Sequence, residues 1–524
     1  MDLGKYLLKR ILFSLFSIAV VTLIVMFLTY NLVDKNLIFQ RDGNLNKLSP
    51  NEQVVYKHNK YVRFGYETYE NYTVYLAKTY KERYGEDFQD DPELKAQYKA
   101  SNNALNDPNT YSQNADVIEF VSLYKSRGYR IEYYEPIYVL RKMTSKPVLI
   151  AIKERNVFER FGSYLTNLIK IETIYDVPKS EDIGKRGIHF EWDKRSDMPA
   201  LVGNGTTHKY LVYFDDHFPF VHQNIIHLRL GLSVITGIDA YDFMNSSTGS
   251  TKSSLQEYPV DLGTGVTHET SYDFHTVTYS SAPTAYDASI YGEGEHYINA
   301  TLFATGLSRI GNSFTIGIFS VILCYILGLP IGIWMARRKD KLVDKIGNFY
   351  IIFVIAVPSL AYIFMMSAIG IKAGAPFKWD SANPFMLSIL MPVISLSLPA
   401  IGGLMKWMRR FMIDQSNADY VKFARSTGMT EGEIFSKHIS RNAFIYLVHG
   451  VPADILFAMV GALITERVYS VPGIGGMLTN AITDYDNGII IAGTVFYTFL
   501  SVLALILGDL LLAKYDPRVK LTEK

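Results

Sequence analysis

Side chains that could carry out chemistry are scattered along this sequence rather than grouped. His268-Glu269 begins like the His-Glu-x-x-His helix of zinc proteases, but Tyr272 stands where the second histidine ligand is needed. ATP binding requires a Gly-x-x-x-x-Gly-Lys-Ser/Thr loop whose backbone N–H groups hold the phosphates, and no such string occurs. We therefore expect no catalytic residue, no metal site and no cofactor in this chain, which is not predicted to be an enzyme.

One carboxylate lies within a long apolar segment. Asp454 follows Pro452 near the middle of Phe444–Ile464, at a depth where a lone charge is strongly unfavourable unless it faces water, a partner or the protein interior. Two interpretations remain open. Asp454 lines a pathway through the membrane, or it makes a structural hydrogen bond at an interface with another membrane subunit.

A polar loop between two apolar segments carries several consistent helix signals. It reads SNADYVKFARSTGMTEGEIFSKHISRNA, residues 416–443. Ser416 with Asp419 predicts a helix start, Gly428 suits the left-handed residue that ends this helix, and Thr430 with Glu433 forms a capping box that opens a second helix. The sequence therefore predicts a helix, a sharp turn and a helix.

The second of these helices is predicted to be amphipathic. Ile434, Phe435, His438 and Ile439 recur at helical spacing, whereas the charged residues take other faces. A helix of this kind beside a membrane can bind lipid or a groove in another protein. Its charge is mixed and its aromatic content modest, which favours the protein groove.

Six apolar segments must position these residues. The first, Ile11–Tyr30, contains no charge and is long enough as a helix to cross a bilayer core of roughly 30 Å. The other five are Ser313–Ala336, Asn348–Ile371, Phe385–Leu404, Phe444–Ile464 and Ile489–Leu512. We predict an all-α polytopic membrane protein with six transmembrane helices.

The basic residues predict the orientation, because Lys and Arg accumulate in cytoplasmic loops close to the membrane. Nineteen of them lie on the side of the two termini, against three in the short loops opposite, which are Lys372, Lys378 and Arg467. Both termini are therefore expected in the cytoplasm. The long polar insert that follows the first helix is expected outside the cell.

This gives a map of the chain in four parts. They are a cytoplasmic N-terminus at 1–10, the first transmembrane helix at 11–30, an extracellular domain at 31–306, and a membrane core at 307–524 that contains loop 416–443. Alternating stretches such as residues 208–214 and 276–279 predict strands in the extracellular domain, whereas residues 50–100 are typical of helices. We expect this inserted domain to be mixed α/β.

The overall composition excludes some classes of protein. The formal charge is only +1, from 52 basic and 51 acidic residues, which argues against a nucleic-acid partner. Cys324 is the single cysteine, so no intramolecular disulfide can form. It lies in an apolar segment, and we interpret it as a small buried hydrophobic residue.

Three ordered segments resemble a known family. They are Asp419-Tyr420-Val421, Ala424-Arg425, Gly428, Lys437-His438 and Arg441-Asn442-Ala443 in the loop, then Thr465-Glu466-Arg467-Val468-Tyr469-Ser470-Val471-Pro472-Gly473-Ile474-Gly475, then Tyr515-Asp516-Pro517-Arg518-Val519. They resemble the permeases of binding-protein-dependent ABC importers in the oligopeptide and dipeptide branch. The long insert after the first helix further resembles the AmiC-type peptide permeases of streptococci. One departure is Lys422-Phe423-Ala424, where the wider superfamily has Glu-Ala-Ala.

This resemblance implies a type I ABC importer permease fold in the bacterial plasma membrane and a role in importing oligopeptides. It implies that loop 416–443 is a coupling loop that transmits the closure of ATP-hydrolysing subunits. The residues carried over to that role are Asp419, Tyr420, Ala424, Arg425, Gly428, Glu433, His438, Arg441 and Asn442. Asp454 would then line the peptide pathway, near the amino terminus of the substrate.

The implied partners are a second homologous permease, two ABC ATPase subunits that hold ATP and Mg²⁺, an extracellular substrate-binding lipoprotein, the oligopeptide and the lipid bilayer. Two alternatives remain open. The cargo is nickel or another small nutrient, since related permeases share the loop motifs. Alternatively, the protein is a membrane-anchored receptor whose outer domain senses a ligand.

Overall fold

The computed structural model describes most of the chain. The described residues are 3–85, 87–176, 185–193, 197–206, 210–214, 221–237, 239–245, 258–261, 267–270, 273–274, 277–278, 298–299, 308–376, 378–379 and 385–516. Some predicted features fall partly outside them, namely residues 208–209 of the predicted strand at 208–214, residues 276 and 279 of the predicted strand at 276–279, and Pro517-Arg518-Val519.

The apolar segments form helices. They are α1 at Leu3–Leu32, α8 at Arg309–Arg337, α9 at Leu342–Ala356, α10 at Ser359–Lys372, α11 at Phe385–Ser416, α14 at Arg441–Val448, α15 at Val451–Tyr469, α16 at Ile474–Thr483 and α17 at Asn487–Tyr515. Four of them, α1, α8, α11 and α17, are long and apolar enough to cross a membrane. The count rises to six if two bent helix pairs are each taken as one span. The first pair is α9 with α10. The second is the helical stretch Glu431–Val448, which ends with α14, together with α15.

The predicted span Asn348–Ile371 is not a single straight helix. It consists of α9 and α10, whose axes differ by 108°. Pro358 lies at the break, has no N–H to continue the helix and disfavours helical geometry in the residue before it. Val357 accordingly adopts extended angles of φ −82° and ψ 129°.

The predicted span Phe444–Ile464 is also broken. The axes of its two helices differ by 49°, and the break falls at His449-Gly450. Pro452 occupies the first turn of α15, where its missing N–H is tolerated. Asp454 therefore lies in the first turn of α15, immediately after the bend.

Helices α8 and α11 pack closely because two glycines on α8 face α11. A Cβ atom on Gly332 would lie 3.0 Å from the backbone oxygen of Met405, and one on Gly328 would lie 3.1 Å from the Leu404 side chain. The four-residue spacing places both glycines on one face of the helix, as in other close helix pairs of membrane proteins.

Helices α1 and α17 lie antiparallel and are joined by polar contacts at one end. Tyr6 donates a hydrogen bond to Asp509, and Arg10 forms an ion pair with the same oxygen atom, both at 3.0 Å. The cation that pairs with Asp509 is thus supplied by α1.

A polar domain, the described part of residues 33–306, contains both helices and strands. Its helices are α2 at Pro50–Arg63, α3 at Tyr72–Tyr84, α4 at Pro92–Asn103, α5 at Ala115–Ser126, α6 at Val157–Asn167 and α7 at Ala240–Asn245. Short 3₁₀ turns occur at Lys35–Phe39, Leu45–Lys47, Ala104–Asn106 and Tyr111–Gln113. The helical prediction for residues 50–100 is confirmed, except that a strand interrupts it at Glu67–Asn71.

The strands form small antiparallel sheets. They are β1 at Glu67–Asn71, β2 at Arg130–Tyr134, β3 at Ile137–Val139, β4 at Lys142–Ser145, β5 at Val148–Glu154, β6 at Ile169–Ile171, β7 at Gly187–Asp193, β8 at Met198–Asn204, β9 at Tyr210–Phe214, β10 at Val221–Gln223, β11 at Ile226–Leu228, β12 at Tyr258–Asp261, β13 at Thr267–Thr270, β14 at Asp273–Phe274, β15 at Val277–Thr278 and β16 at Ile298–Asn299. Two sheets have the orders β1-β5-β2 and β10-β9-β8-β7. The predicted strands near 208–214 and 276–279 correspond to β9 and β15.

The polar domain has an apolar core of its own. Helices α3 and α5 pack their aromatic faces together against β5, and Tyr72, Phe120 and Ala151 are completely buried there. The rings of Tyr72 and Phe120 meet edge to face, with centroids 5.5 Å apart. This core supports the mixed α/β character predicted for the insert.

Asp486 fastens the polar domain to the membrane helices. Its buried carboxylate accepts hydrogen bonds from the Ser233 hydroxyl at 2.6 Å and the Val234 N–H at 3.0 Å. It also caps the start of α17 by accepting the Ile489 N–H at 3.3 Å. Close by, Gly488 touches the backbone of Leu232, where an added Cβ would lie 1.9 Å from the carbonyl oxygen.

A second buried carboxylate organises the segment between α15 and α16. Glu466 accepts hydrogen bonds from the Ser313 hydroxyl at 2.6 Å and from the Gly476 N–H at 3.1 Å. Ser313 in turn accepts the Ile474 N–H at 2.9 Å. A Cβ on Gly473 would lie 2.3 Å from this carboxylate, so the glycine allows the turn to close over Glu466.

We predict that Gly488→Ala destabilises the junction between the polar domain and α17. The new methyl group would collide with the Leu232 backbone, and overpacking of this kind costs about 1–3 kcal/mol. The melting temperature of the purified protein should fall by several degrees. Gly403→Ala in α11 is the matched control, because nothing lies within 4 Å of its added Cβ. Equal melting temperatures for the two variants would show that this contact is not tight.

Candidate functional site

Helix α11 extends directly into loop 416–443, and this changes how the loop begins. The Ser416 hydroxyl donates to the Ile413 carbonyl at 2.7 Å, within the last turn of α11. The first loop helix, α12 at Asp419–Ser426, has Ala418 as its N-cap residue, without a side-chain cap. The predicted Ser416–Asp419 helix start is therefore wrong. Asp419 is 96% exposed and pairs instead with Lys422 at 2.8 Å.

The turn after α12 has the predicted geometry. Gly428 has a φ angle of 84°, in the left-handed region that glycine adopts without strain. The Gly428 N–H donates to the Arg425 carbonyl at 3.1 Å, and the Met429 N–H donates to the Ala424 carbonyl at 3.3 Å. These bonds satisfy the carbonyls at the helix end and reverse the chain within two residues.

The predicted capping box is also confirmed. The Glu433 N–H donates to the Thr430 hydroxyl at 3.3 Å, and the Glu433 carboxylate accepts the Thr430 N–H at 3.2 Å. The Thr430 hydroxyl also donates to this carboxylate at 2.9 Å, and together with the Thr430 N–H it lowers the pKa of Glu433, which lies in the short helix α13 at Glu431–Glu433. A bidentate ion pair between Arg425 and Glu431, at 2.7 and 3.2 Å, joins α12 to α13 across the turn.

The second half of the loop departs from the predicted α-helical spacing. Ile434–Ser440 forms a π-helical segment between α13 and α14. Its wider turn places Ile434 and Ile439, five residues apart, on the same buried side. The His438 ring lies 6.5 Å from the ring of Tyr420 on α12, so the two loop helices also meet at their polar edge.

The inner faces of both loop helices share one apolar core with the end of α11. Val421 and Ala424 of α12 are buried against Ile434 and Ile439 of the π-helical segment. The same core contains Met405, Met408 and Met412 of α11, as well as Ala443 of α14. The loop is therefore packed onto the membrane helix rather than tethered to it by backbone alone.

The outer face of the loop is exposed and bears an aromatic side chain that the sequence analysis did not select. Phe423 is 70% exposed, although it is flanked by the buried Ala424. Arg441 is exposed and Asn442 half-buried on the same loop. The family resemblance selected residues of the types that the family shares, and Phe423 is not one of them. Its exposure is evident only from the packing of its neighbours in the folded loop.

A buried ion pair fixes α11 just before the loop. Asp344 of α9 is almost fully buried and receives two hydrogen bonds from the Arg409 guanidinium, at 2.5 and 2.7 Å. It also accepts the Asp340 N–H at 2.9 Å. Breaking a pair of this kind leaves a buried charge without compensation, so the contact holds α9 and α11 in one arrangement.

Asp454 faces an aromatic groove of about 640 Å³ between α8, α11 and α15. The Tyr325 hydroxyl donates to the Asp454 carboxylate at 2.7 Å, and both side chains line the groove. Trp407, Phe411 and Tyr446 form a ladder of stacked rings along the same wall, with centroid distances of 5.6 and 5.1 Å. This groove does not include the coupling-loop residues carried over from the resemblance.

Comparison with known proteins identifies the family to which the membrane helices belong. Residues 328–521 match the family described as "Binding-protein-dependent transport system inner membrane component". The oligopeptide transport system permease protein AmiC of Streptococcus pneumoniae is 33% identical over 528 residues, which is 99% of each protein. The chain belongs to this family of transport-system inner membrane components. The resemblance inferred from its sequence motifs is thereby confirmed.

Other relatives match a smaller part of the chain. The dipeptide transport system permease protein DppB of Lactococcus lactis is 28% identical over 234 residues, covering 44% of this chain and 76% of its own length. The oligopeptide transport system permease protein OppB of Mycobacterium bovis is 25% identical over 232 residues, covering 41% and 71% respectively. The match to AmiC thus extends over nearly the whole chain, the insert included, whereas each of the other two permeases matches less than half of it.

We predict that Gly428→Val disrupts the loop without unfolding the membrane helices. A β-branched residue at this positive φ is strained by about 1–2 kcal/mol or more, so the reversal between α12 and α13 should open. Trypsin should cleave at the basic residues of the loop markedly faster than in the wild type, with little change in the melting temperature.

Gly432→Val is the matched control for this experiment. Gly432 lies in α13 with no positive φ, and nothing is within 4 Å of its added Cβ. Its loop should remain as resistant to trypsin as the wild-type loop. Equal cleavage rates for the two variants would contradict the proposed importance of the left-handed turn.

Proposed function

We propose that this chain is the permease subunit of an ABC importer that carries oligopeptides into the cell. The observation that carries the proposal is similarity to an oligopeptide permease over 99% of both chains, at 33% identity. Similarity to dipeptide and oligopeptide permeases over 44% and 41% of the chain supports the same substrate class. The chain acts by changing conformation around the substrate rather than by catalysing a reaction.

In this proposal each bent helix pair forms one span, giving six transmembrane helices and both termini in the cytoplasm. The asymmetry of basic residues supports that orientation, and it places loop 416–443 inside the cell and residues 31–306 outside. The protein is then a multi-pass protein of the bacterial plasma membrane.

Loop 416–443 serves as the coupling loop for two ATPase subunits, which hold ATP and Mg²⁺. Three features of the loop support this role: an exposed outer face with Phe423, a capped and ion-paired turn, and a buried face that shares its core with α11. A force on Phe423 or Arg441 would therefore move α11 as a unit rather than bend the connection. Such rigid levers are what domain closure requires.

The aromatic groove that contains Asp454 forms this subunit's half of the peptide pathway, and a second homologous permease supplies the other half. Aromatic rings offer apolar contact to many side chains, which suits a varied peptide, while Asp454 offers one acceptor for the amino-terminal ammonium group. An extracellular substrate-binding lipoprotein delivers the peptide to the outer side.

Uptake of a labelled oligopeptide tests the proposal directly. Cells that lack this gene should lose ATP-dependent uptake, and the wild-type gene should restore it. Gly428→Val should restore membrane insertion but less than about one tenth of the uptake, since the ATPases would close without moving α11. Normal peptide uptake without the gene, or a defect confined to nickel uptake, would overturn the assignment of the cargo.

We predict that Asp454→Asn slows peptide import or changes its selectivity while the subunits still assemble. Removing the charge should raise the apparent KM most for peptides with a free amino terminus and least for N-acetylated peptides. Tyr325→Phe, which removes only the hydrogen bond to Asp454, separates loss of the contact from loss of charge. Unchanged rate and selectivity in Asp454→Asn would leave Asp454 with a structural role at a subunit interface.

A further inference from the structure

A cavity of about 380 Å³ lies where the polar domain meets the ends of two membrane helices. Tyr30 and Met26, in the last two turns of α1, form part of its wall, and Gly488 and Ile491, in the first turns of α17, form another part. The cavity is therefore level with the ends of the apolar helices, on the side of the polar domain. In a membrane, lipid headgroups occupy this level.

The cavity carries an excess of positive charge. Four arginines line it, namely Arg63, Arg155, Arg160 and Arg229, and among the lining residues that the structure describes Asp239 is the one carboxylate. Asp239 is already engaged, since it accepts backbone N–H groups from Leu230, Gly231 and Tyr241 at 2.9 to 3.2 Å.

Two of these arginines make no close ionic contact within the described part of the chain. Arg155 and Arg229 form no ion pair or side-chain hydrogen bond with any residue that the structure describes, although the charge of Arg229 favours the ionised form of Asp239. Arg229 is exposed and Arg155 half-buried at the cavity wall. The positive charge of the cavity is thus only partly offset by the residues that the structure describes.

The guanidinium group of Arg160 is held at the cavity wall by two aromatic rings and one backbone carbonyl. Its planar group lies over the rings of Tyr30 and Tyr66, at 4.7 and 5.3 Å, and one nitrogen donates to the Tyr66 carbonyl at 2.7 Å. Its Nε atom is buried but has no hydrogen-bond partner. A buried donor left unpaired is unfavourable, and an acceptor from outside the protein would satisfy it.

We propose that this arginine cavity binds the phosphate of an anionic phospholipid headgroup. Guanidinium groups match phosphate oxygens in geometry as well as charge, and several arginines around one site are typical of phosphate recognition. The acyl chains can lie along α1, where Phe27, Ile24 and Val20 are exposed within the turns that precede Tyr30. The bound lipid ties the polar domain to the bilayer at its junction with α1 and α17.

The position of the cavity favours lipid over the transported peptide. The aromatic groove with Asp454 is lined by α8, α11, α14 and α15, whereas the arginine cavity is lined by α1, α17 and the polar domain. The two share no lining residue. The position of the cavity at the outer leaflet of the membrane rests on the orientation of the chain proposed above. Binding of the lipid headgroup does not depend on whether the protein transports peptides.

Native mass spectrometry of the purified full-length protein, with its co-purifying subunits, tests this site. The protein is titrated with phosphatidylglycerol, phosphatidylcholine or glycerol phosphate, and bound molecules are counted. The wild type should retain phosphatidylglycerol in preference to phosphatidylcholine. Arg155→Gln with Arg229→Gln should reduce that retention about tenfold, because each arginine near an anionic lipid contributes to binding.

Arg127→Gln with Arg141→Gln is the matched control. Both residues are exposed in the polar domain, neither lines the cavity, and the change in net charge is the same. Melting temperatures measured without lipid verify that all variants fold. Equal phosphatidylglycerol retention by the cavity variant, the control and the wild type would overturn the proposal. Binding of glycerol phosphate as tight as that of the lipid would identify a soluble phosphate ester instead and overturn the lipid assignment.

Discussion

The shared apolar core of loop 416–443 and α11 is the contact on which the account depends. Val421, Ile434 and Ile439 bury the inner faces of the loop against Met405 and its neighbours on α11. Without this burial, the loop would keep its own turn and capping hydrogen bonds, but only the chain connection would hold it to the end of α11. With it, displacement of the loop must displace α11, because packed interiors shift as units rather than deform continuously.

Close helix packing then carries that displacement into the membrane. Gly328 and Gly332 bring α8 against α11, and α8 also supplies Tyr325, which contacts Asp454 on α15. The loop, the glycine-faced helix pair and the aromatic groove are thus connected through α11 and α8. At the opposite end, Glu466 and Asp486 fix the turns before α16 and α17, so the polar domain rests on the same framework.

Local signals made part of this structure predictable. Gly428 and the Thr430–Glu433 capping box were recognised because each depends on residues within a few positions in the sequence, and long apolar runs identify membrane helices by length alone. Ser416 was misassigned because α11 continues about three turns beyond the end of its apolar pattern at Leu404. The 108° angle at Pro358 could not be predicted from the sequence either, because proline predicts a break in the helix but tertiary packing sets the angle of that break.

The arginine cavity could not be predicted from the sequence, because residues 63, 155, 160 and 229 come together only in the folded domain.

Site-specific crosslinking in intact membranes is the most direct test of the central claim that the exposed face of this loop receives movement from ATPase subunits. The native Cys324 is the single cysteine and is buried, so Phe423→Cys provides one reactive position on the outer face of the loop. A short photoreactive probe at that position should crosslink to an ATP-hydrolysing subunit, and the yield should change when ATP is added. Crosslinks to lipid alone, or a yield to the ATPase no higher than from a probe at Phe158→Cys in the polar domain, would contradict the account.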